Sequence, residues 1–128
     1  MPIKITLLYT ALLAILTIAL MINVVRLRNS QKVNLGDGGN KVLTQAIRAH
    51  GNLTENAPIA LLVILLLEMI GSANWIVHTL GAVLVVGRLL HAHALLTAGM
   101  PGRVVGAVAT NLVVLVGAAL LLRAYAGL

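Results

Sequence analysis

The sequence predicts an all-α integral membrane protein, a single four-helix bundle that covers residues 1–128. Three observations indicate this fold. Hydrophobic residues make up 60% of the chain and charged residues only 9%, and the mean hydropathy is +1.04. Apolar runs long enough to cross a bilayer recur along the chain. A soluble core of this size cannot cover so much apolar surface, so lipid or partner subunits must cover the outside.

The first predicted span, residues 5–25, is long enough to cross the bilayer. Its roughly 21 residues, at a rise of about 1.5 Å each, match a hydrocarbon core of about 30 Å. No cleavage site of small residues follows it, so this helix is expected to be retained. The other spans are predicted at residues 43–70, 75–96 and 104–125.

The connection after the first span is polar and rich in glycine. Gly36-Asp37-Gly38-Gly39 predicts a tight turn, because glycine adopts backbone angles that other residues avoid. The Lys-Ser/Thr pair that completes a phosphate-binding loop is missing. We therefore interpret this segment as a turn.

Basic residues are divided unequally between the two ends of the predicted bundle. With four spans, the first and third connections share one side of the membrane, and the termini share the other side with the second connection. The positive-inside rule places the richer side in the cytoplasm, so both termini are expected to face away from it. The residues that decide this are Arg26, Arg28, Lys32, Lys41 and Arg103 on the cytoplasmic side, against Lys4 and Arg123 on the other.

The composition also argues against several classes of function. The chain has no cysteine, which excludes disulfides, thiolate metal sites and a sulfur nucleophile supplied by the protein. Its 4 histidines lack ligand-like pairing, so no metal site is expected. The net charge is +6, but one Trp, two Tyr and no Phe leave little to stack on bases, which argues against nucleic acid as a partner.

Polar and ionisable side chains inside the spans indicate where function lies, because a charge at mid-bilayer costs at least about 2.5 kcal/mol. Arg48, Asn52 and Glu55 are spaced i, i+4, i+7, which places them along one stripe of the second helix. Arg88 is expected at a similar depth in the third helix. His91 follows it by one turn on the same face.

With Arg103 at the start of the fourth helix, these residues predict a cytoplasm-facing cluster in which arginines outnumber carboxylates. Such a cluster favours an anion, since a guanidinium fork matches a carboxylate in two hydrogen bonds. A ligand with two carboxylates, one amine and a thiol fits this set, and nearby cations favour its thiolate. A purely structural ion pair between Arg88 and Glu55 remains an alternative. Glu68 is expected to reach the headgroups at the opposite end.

Several motifs resemble those of a known family, the membrane-associated proteins in eicosanoid and glutathione metabolism (MAPEG). Residues 48–58, Arg-Ala-His-Gly-Asn-Leu-Thr-Glu-Asn-Ala-Pro, resemble its second-helix signature. Residues 86–91, Val-Gly-Arg-Leu-Leu-His, resemble its third-helix motif. Residues 25–28 and 101–103 place arginines where the family has them at the end of helix one and the start of helix four. The glycine loop is similar to that of bacterial members.

The resemblance implies a homotrimer in a bacterial inner membrane that binds glutathione as co-substrate between subunits, with no metal. Arg103 would face the sulfur as the catalytic residue and favour the thiolate. The glutathione-binding residues that the resemblance implies are Arg48, Asn52, Glu55, Arg88, His91 and, from a neighbouring subunit, Arg26. Leu95, Val104 and Ala107 stand where the animal prostaglandin synthase branch has Tyr, Ser and Tyr, which argues against prostaglandin or leukotriene synthesis.

The leading hypothesis is a glutathione S-transferase or glutathione peroxidase that acts on lipophilic electrophiles arriving through the lipid. A small membrane transporter is a second hypothesis, because buried Glu and Arg residues also serve alternating access. No inverted repeat supports it. A third hypothesis is a non-catalytic membrane scaffold that retains the fold.

Overall fold

The computed structural model describes residues 3–127. Within them the chain forms four α-helices, with no strand: α1 (Lys4–Gln31), α2 (Lys41–Met69), α3 (Asn74–Leu96) and α4 (Met100–Ala126). All four are long and apolar enough to cross a membrane. The predicted all-α membrane architecture is therefore confirmed, while the homotrimer stays a prediction.

Two helices extend beyond their predicted apolar spans. α1 runs to Gln31 and ends where Lys32 adopts a left-handed conformation with a φ of 55°. α4 begins at Met100, and Pro101 in its first turn costs no hydrogen bond because the first amides of a helix lack intrahelical acceptors. α2 begins after Asn40, whose side chain accepts a hydrogen bond from the Leu43 amide at 3.0 Å.

The two central helices of the bundle are α2 and α3, each of which contacts the other three helices. α1 packs on α2 and α3, and α3 packs on α4, whereas α1 and α4 do not meet within the described part of the chain. We call the end that carries the 32–40 connection and the 97–99 turn the loop end. The opposite end, with the 70–73 turn, the start of α1 and the end of α4, is the terminal end. Consecutive helices run antiparallel between these two ends.

α3 and α4 approach each other closely, and glycines permit this approach. A Cβ atom at Gly106 would lie 2.6 Å from the Cβ of His91, and one at Gly87 would lie 2.9 Å from the Cβ of Ala109. Small residues let membrane helices approach until backbone meets backbone. This contact brings the Gly106 carbonyl within reach of side chains on α3.

At the terminal end, Glu68 of α2 is buried, with 7% of its surface exposed, and holds the first turn of α1. Its Oε1 accepts a hydrogen bond from the Ile5 amide at 2.8 Å, and its Oε2 accepts one from the Thr6 amide at 2.7 Å. The prediction that Glu68 reaches the headgroups is therefore wrong. The first amides of α1 need acceptors, and the positive end of a helix favours a carboxylate.

The 32–40 connection is the predicted tight turn. Gly36, Gly38 and Gly39 have positive φ angles of 66°, 57° and 73°. Asp37 joins the turn to α2, because one carboxylate oxygen accepts from the Gly39 amide at 3.0 Å and the other from the Thr44 hydroxyl at 2.8 Å. These two donors, the Gly39 amide above all, lower the pKa of Asp37 below its ordinary value.

Candidate functional site

An open cavity of about 510 Å³ lies at the loop end, between α2 and the turn that joins α3 to α4. We call it the loop-end groove. Its volume falls in the usual range of small-molecule sites, about 300–1,000 Å³. Three of the side chains that line it are cationic and none is acidic. The lining residues are Lys41, Thr44, Gln45, Arg48, Leu95, Ala98 and Arg103.

The polar wall of the groove is one face of α2. Lys41, Gln45 and Arg48 follow the spacing i, i+4, i+7, and the same stripe continues through Asn52 and Glu55. Sequence reasoning found only the part from Arg48 onward. Continuing the stripe toward the helix start would have found Lys41 and Gln45.

Glu55 does not pair with Arg88. Instead, its Oε1 lies 4.0 Å from Nη1 of Arg48 on the same helix, and the two side chains are 60% and 56% exposed. An ion pair this exposed contributes little stability and leaves both groups open to other partners. The structural pair between Arg88 and Glu55, which the sequence left as an alternative, is not formed.

Arg88 is buried among α2, α3 and α4, with only 2% of its surface exposed. Its Nη1 donates to Oδ1 of Asn52 at 2.8 Å, and its Nη2 donates to the Gly106 carbonyl at 3.2 Å. Among residues 3–127, its Nε has no hydrogen-bond partner, and no carboxylate lies within 4.0 Å of the guanidinium. Arg88 therefore ties the three helices together and does not line the groove.

His91 and Thr110 complete this interior polar group around Gly106. His91 is 7% exposed and packs on Gly106. The Thr110 hydroxyl donates to the Gly106 carbonyl at 3.0 Å, so this carbonyl accepts from both Thr110 and Arg88. The sequence did not single out Thr110, although a hydroxyl four residues after a glycine within a span is a signal for such a bond.

Arg103 and Arg26 are both exposed, but only Arg103 lines the groove. Arg103 lies in the first turn of α4, where its Nη1 is 3.9 Å from the sulfur of Met100. Arg26 donates to Oδ1 of Asn23 at 3.1 Å on α1. The fold thus brings Arg48 and Arg103 together at the groove, while Arg26, which was predicted to come from a neighbouring subunit, does not line the groove of its own protomer.

The groove is suited to binding an anion. Its cations have no acidic partner lining the cavity, and the adjacent start of α4 has no side chain that caps its amides. The positive end of a helix adds to the attraction for negative charge. Nowhere in residues 3–127 do three metal-ligating His, Asp or Glu side chains come together.

The sequence model of the MAPEG family matches residues 6–123. The chain belongs to the MAPEG family. Two curated relatives, each named Inner membrane protein YecN, come from Escherichia coli K12 and from Escherichia coli O6:H1 strain CFT073. Both are 48% identical to the chain over 84 residues, which make up 66% of the chain and 64% of each relative. The aligned part thus spans less than two thirds of these relatives. No solved structure gives a significant match to this MAPEG protein.

Proposed function

We propose that this MAPEG protein is a glutathione-dependent membrane enzyme of the transferase or peroxidase type, which binds glutathione in the loop-end groove. The observation that carries the proposal is the presence of three cations and no carboxylate along a cavity of about 510 Å³. An anionic thiol peptide supplies the missing negative charge. Membership of a family that is associated with glutathione and eicosanoid metabolism supports the same choice.

In this proposal Arg48 binds a ligand carboxylate and Glu55 accepts from the ligand amine. Both side chains are exposed on one face of α2, about two turns apart, so both are accessible. Arg103 faces the thiol. A guanidinium a few ångströms from sulfur, together with the amides at the start of α4, lowers the pKa of the ligand thiol and favours the thiolate at neutral pH.

The thiolate then attacks the second substrate. With an electrophilic carbon, a carbon–sulfur bond forms and the leaving group departs with the electron pair. With a lipid hydroperoxide, sulfur takes the terminal oxygen and the alcohol leaves, after which a second glutathione gives the disulfide and water. An apolar groove of about 300 Å³ between α3 and α4, lined in part by Val86, Gly87 and Val105, supports access for a lipophilic partner from the bilayer.

The interior polar group supports the site from within. Arg88 holds Asn52 on the stripe that also carries Arg48 and Glu55, and it fixes the first turns of α4 through the Gly106 carbonyl. Direct contact of Arg88 and His91 with glutathione stays a prediction from the family resemblance, because both side chains are buried within the protomer.

We further propose that three copies assemble and that Arg26 reaches the groove of a neighbouring copy. The exposed position of Arg26, away from its own groove, supports this arrangement. The excess of basic residues at the loop end supports a cytoplasmic location for that end. The name of the two E. coli relatives supports the inner membrane as the location.

Calorimetric titration of the purified protein with glutathione tests the binding step. We expect saturable binding, which weakens about tenfold in Arg48→Ala because a charge-assisted hydrogen bond is lost. Arg103→Ala is expected to lose the ultraviolet absorbance of the bound thiolate. Arg123→Ala is the matched control, since this arginine lies in the last turn of α4 at the terminal end. Absence of glutathione binding in the parent protein contradicts the proposal.

Assays of glutathione conjugation and of hydroperoxide reduction distinguish an enzyme from a non-catalytic scaffold. We expect the parent protein to conjugate glutathione to 1-chloro-2,4-dinitrobenzene or to reduce a lipid hydroperoxide, and Arg103→Ala to reduce the rate by about tenfold or more through the loss of thiolate. Binding without either reaction would leave a non-catalytic glutathione-binding protein. Glutathione flux into proteoliposomes, with no conjugation or reduction, would favour the transporter.

A further inference from the structure

One part of the loop-end groove has no role in the mechanism proposed above. Lys41 and Gln45 line the groove beyond Arg48, toward the start of α2. Lys41 is the first residue of α2, and the first turn contains no acidic residue. A cation is unfavourable at the positive end of a helix. The nearby Asp37 carboxylate is engaged by the Gly39 amide and the Thr44 hydroxyl, and no carboxylate of residues 3–127 lies within 4.0 Å of Lys41 to pair with it. An anion bound in the groove would offset this cost.

The length of this wall suits a tripeptide. Lys41 and Arg48 are seven residues apart on one face of α2, which corresponds to about 10 Å along the helix axis. An extended chain of three residues spans at most about 10 Å. A carboxylate at each end of a tripeptide can therefore meet one cation at each end of the wall.

The two ends of the wall also differ in charge. At Arg48 the wall offers a cation and, 4.0 Å away, the carboxylate of Glu55. That pair suits the glutamyl end of glutathione, which carries an ammonium beside its carboxylate. At Lys41 the wall offers a cation and the neutral amide of Gln45, with no acidic residue lining the cavity. This end suits the glycyl end, which carries a carboxylate alone.

We infer that Lys41, assisted by Gln45, binds the glycyl carboxylate and makes the groove selective for thiol peptides with two carboxylates. This inference rests on the proposed function and adds to it the class of thiol and its direction along α2. Thiols with a single carboxylate would engage Arg48 alone and bind more weakly.

The test compares glutathione with its glycyl monoethyl ester, which lacks the carboxylate in question. Calorimetry on the full-length protein is expected to give about tenfold weaker binding of the ester by the parent protein, the value of one charge-assisted hydrogen bond. Lys41→Ala is expected to weaken glutathione by a similar factor and to leave the affinity for the ester unchanged. Lys41→Arg should retain most of the preference for glutathione.

Lys32→Asn is the matched control. It removes a basic side chain from the same end of the bundle, outside the groove, and asparagine tolerates the left-handed conformation of that position. The inference is wrong if Lys32→Asn changes the two affinities as Lys41→Ala does, or if Lys41→Ala weakens the binding of both ligands equally. In either case Lys41 contributes only to the general electrostatic potential of the groove. Should Lys41→Ala fail to fold, Lys41→Gln is used under the same criteria.

The result also separates this inference from the proposed function. A parent protein that binds neither ligand overturns both. A parent protein that binds glutathione and its ester equally overturns only the role of Lys41 and leaves glutathione binding in place. Saturable binding with an ester penalty that disappears in Lys41→Ala supports both.

Discussion

At the scale of single residues, hydrogen-bond partners distinguish the buried charged side chains from the exposed ones. Glu68 is buried and accepts hydrogen bonds from two backbone amides, whereas Glu55 is exposed and lies beside Arg48. Arg88 is buried on an amide oxygen and a carbonyl, whereas Arg103 is exposed beside the groove. In each pair, the buried side chain holds helices together through its hydrogen bonds, and the exposed side chain is accessible to a ligand.

The contrast between the two glutamates gives a stability prediction. Glu68→Gln is expected to destabilise the fold by about 1–3 kcal/mol, because the new amide nitrogen faces a backbone N–H and leaves that donor unsatisfied. Glu55→Gln is the matched control and should change stability little. Denaturant unfolding in detergent micelles measures the difference. Equal effects of the two substitutions would contradict the assigned role of Glu68.

At the scale of elements, the glycines of α3 and α4 and the turn before α2 determine the shape of the site. The α3–α4 contact sets the distance between Arg88 and the start of α4. The 32–40 turn sets where α2 begins, and therefore where Lys41 lies. Each of them shapes the groove by positioning a helix: the α3–α4 contact positions α4, and the 32–40 turn positions α2.

Gly106→Ala is expected to destabilise the protein by about 1–3 kcal/mol, because its new methyl group would lie 2.6 Å from the Cβ of His91 and force α3 and α4 apart. Gly51→Ala is the matched control. Its Cβ would meet only a carboxylate oxygen of Glu55 at 3.8 Å, so the better helix propensity of alanine should stabilise α2 by up to about 1 kcal/mol. Thermal unfolding midpoints should move in opposite directions.

The turn before α2 is expected to loosen in acid. The lowered pKa of Asp37 means that its contacts with Gly39 and Thr44 stabilise the turn above the ordinary pKa of an aspartate. This stabilisation is lost as the pH falls through the lowered pKa. Amide exchange of Gly39, measured across the acidic range, should show the loss.

Asp37→Asn is the control for this prediction, because asparagine can keep both hydrogen bonds and does not titrate in this range. A Gly39 exchange profile with the same acid dependence in Asp37→Asn would show that Asp37 is not the responsible group.

At the scale of the whole molecule, most of the architecture could be predicted from the sequence. Hydropathy and helix length suffice for four spans, because a bilayer forces the backbone to satisfy its own hydrogen bonds. Spacing along α2 also predicted that Arg48 and Glu55 share a stripe. These features depend only on the geometry of one helix.

Features that depend on contacts between helices could not be predicted in the same way. The interior bond of Arg88 to the Gly106 carbonyl could not be foreseen, because it depends on the rotation of α3 and on the close approach of Gly106, and the predicted contact of Arg88 with a ligand stays a prediction. Glu68 was expected in the headgroups because the amides that donate to it, those of Ile5 and Thr6 on α1, lie more than 60 positions away along the chain. Neither the rotation nor the distant partner leaves a signal in local spacing.

The contact of Glu68 with α1 has a consequence for how the chain enters the bilayer. α1 emerges from the ribosome before α2, so its first amides have only water or lipid headgroups as partners at that stage. Their acceptor lies one residue before the end of α2. The helical hairpin of α1 and α2 therefore reaches its final alignment only after almost the whole of α2 has been inserted, and synthesis that stops short of Glu68 leaves α1 without its anchor.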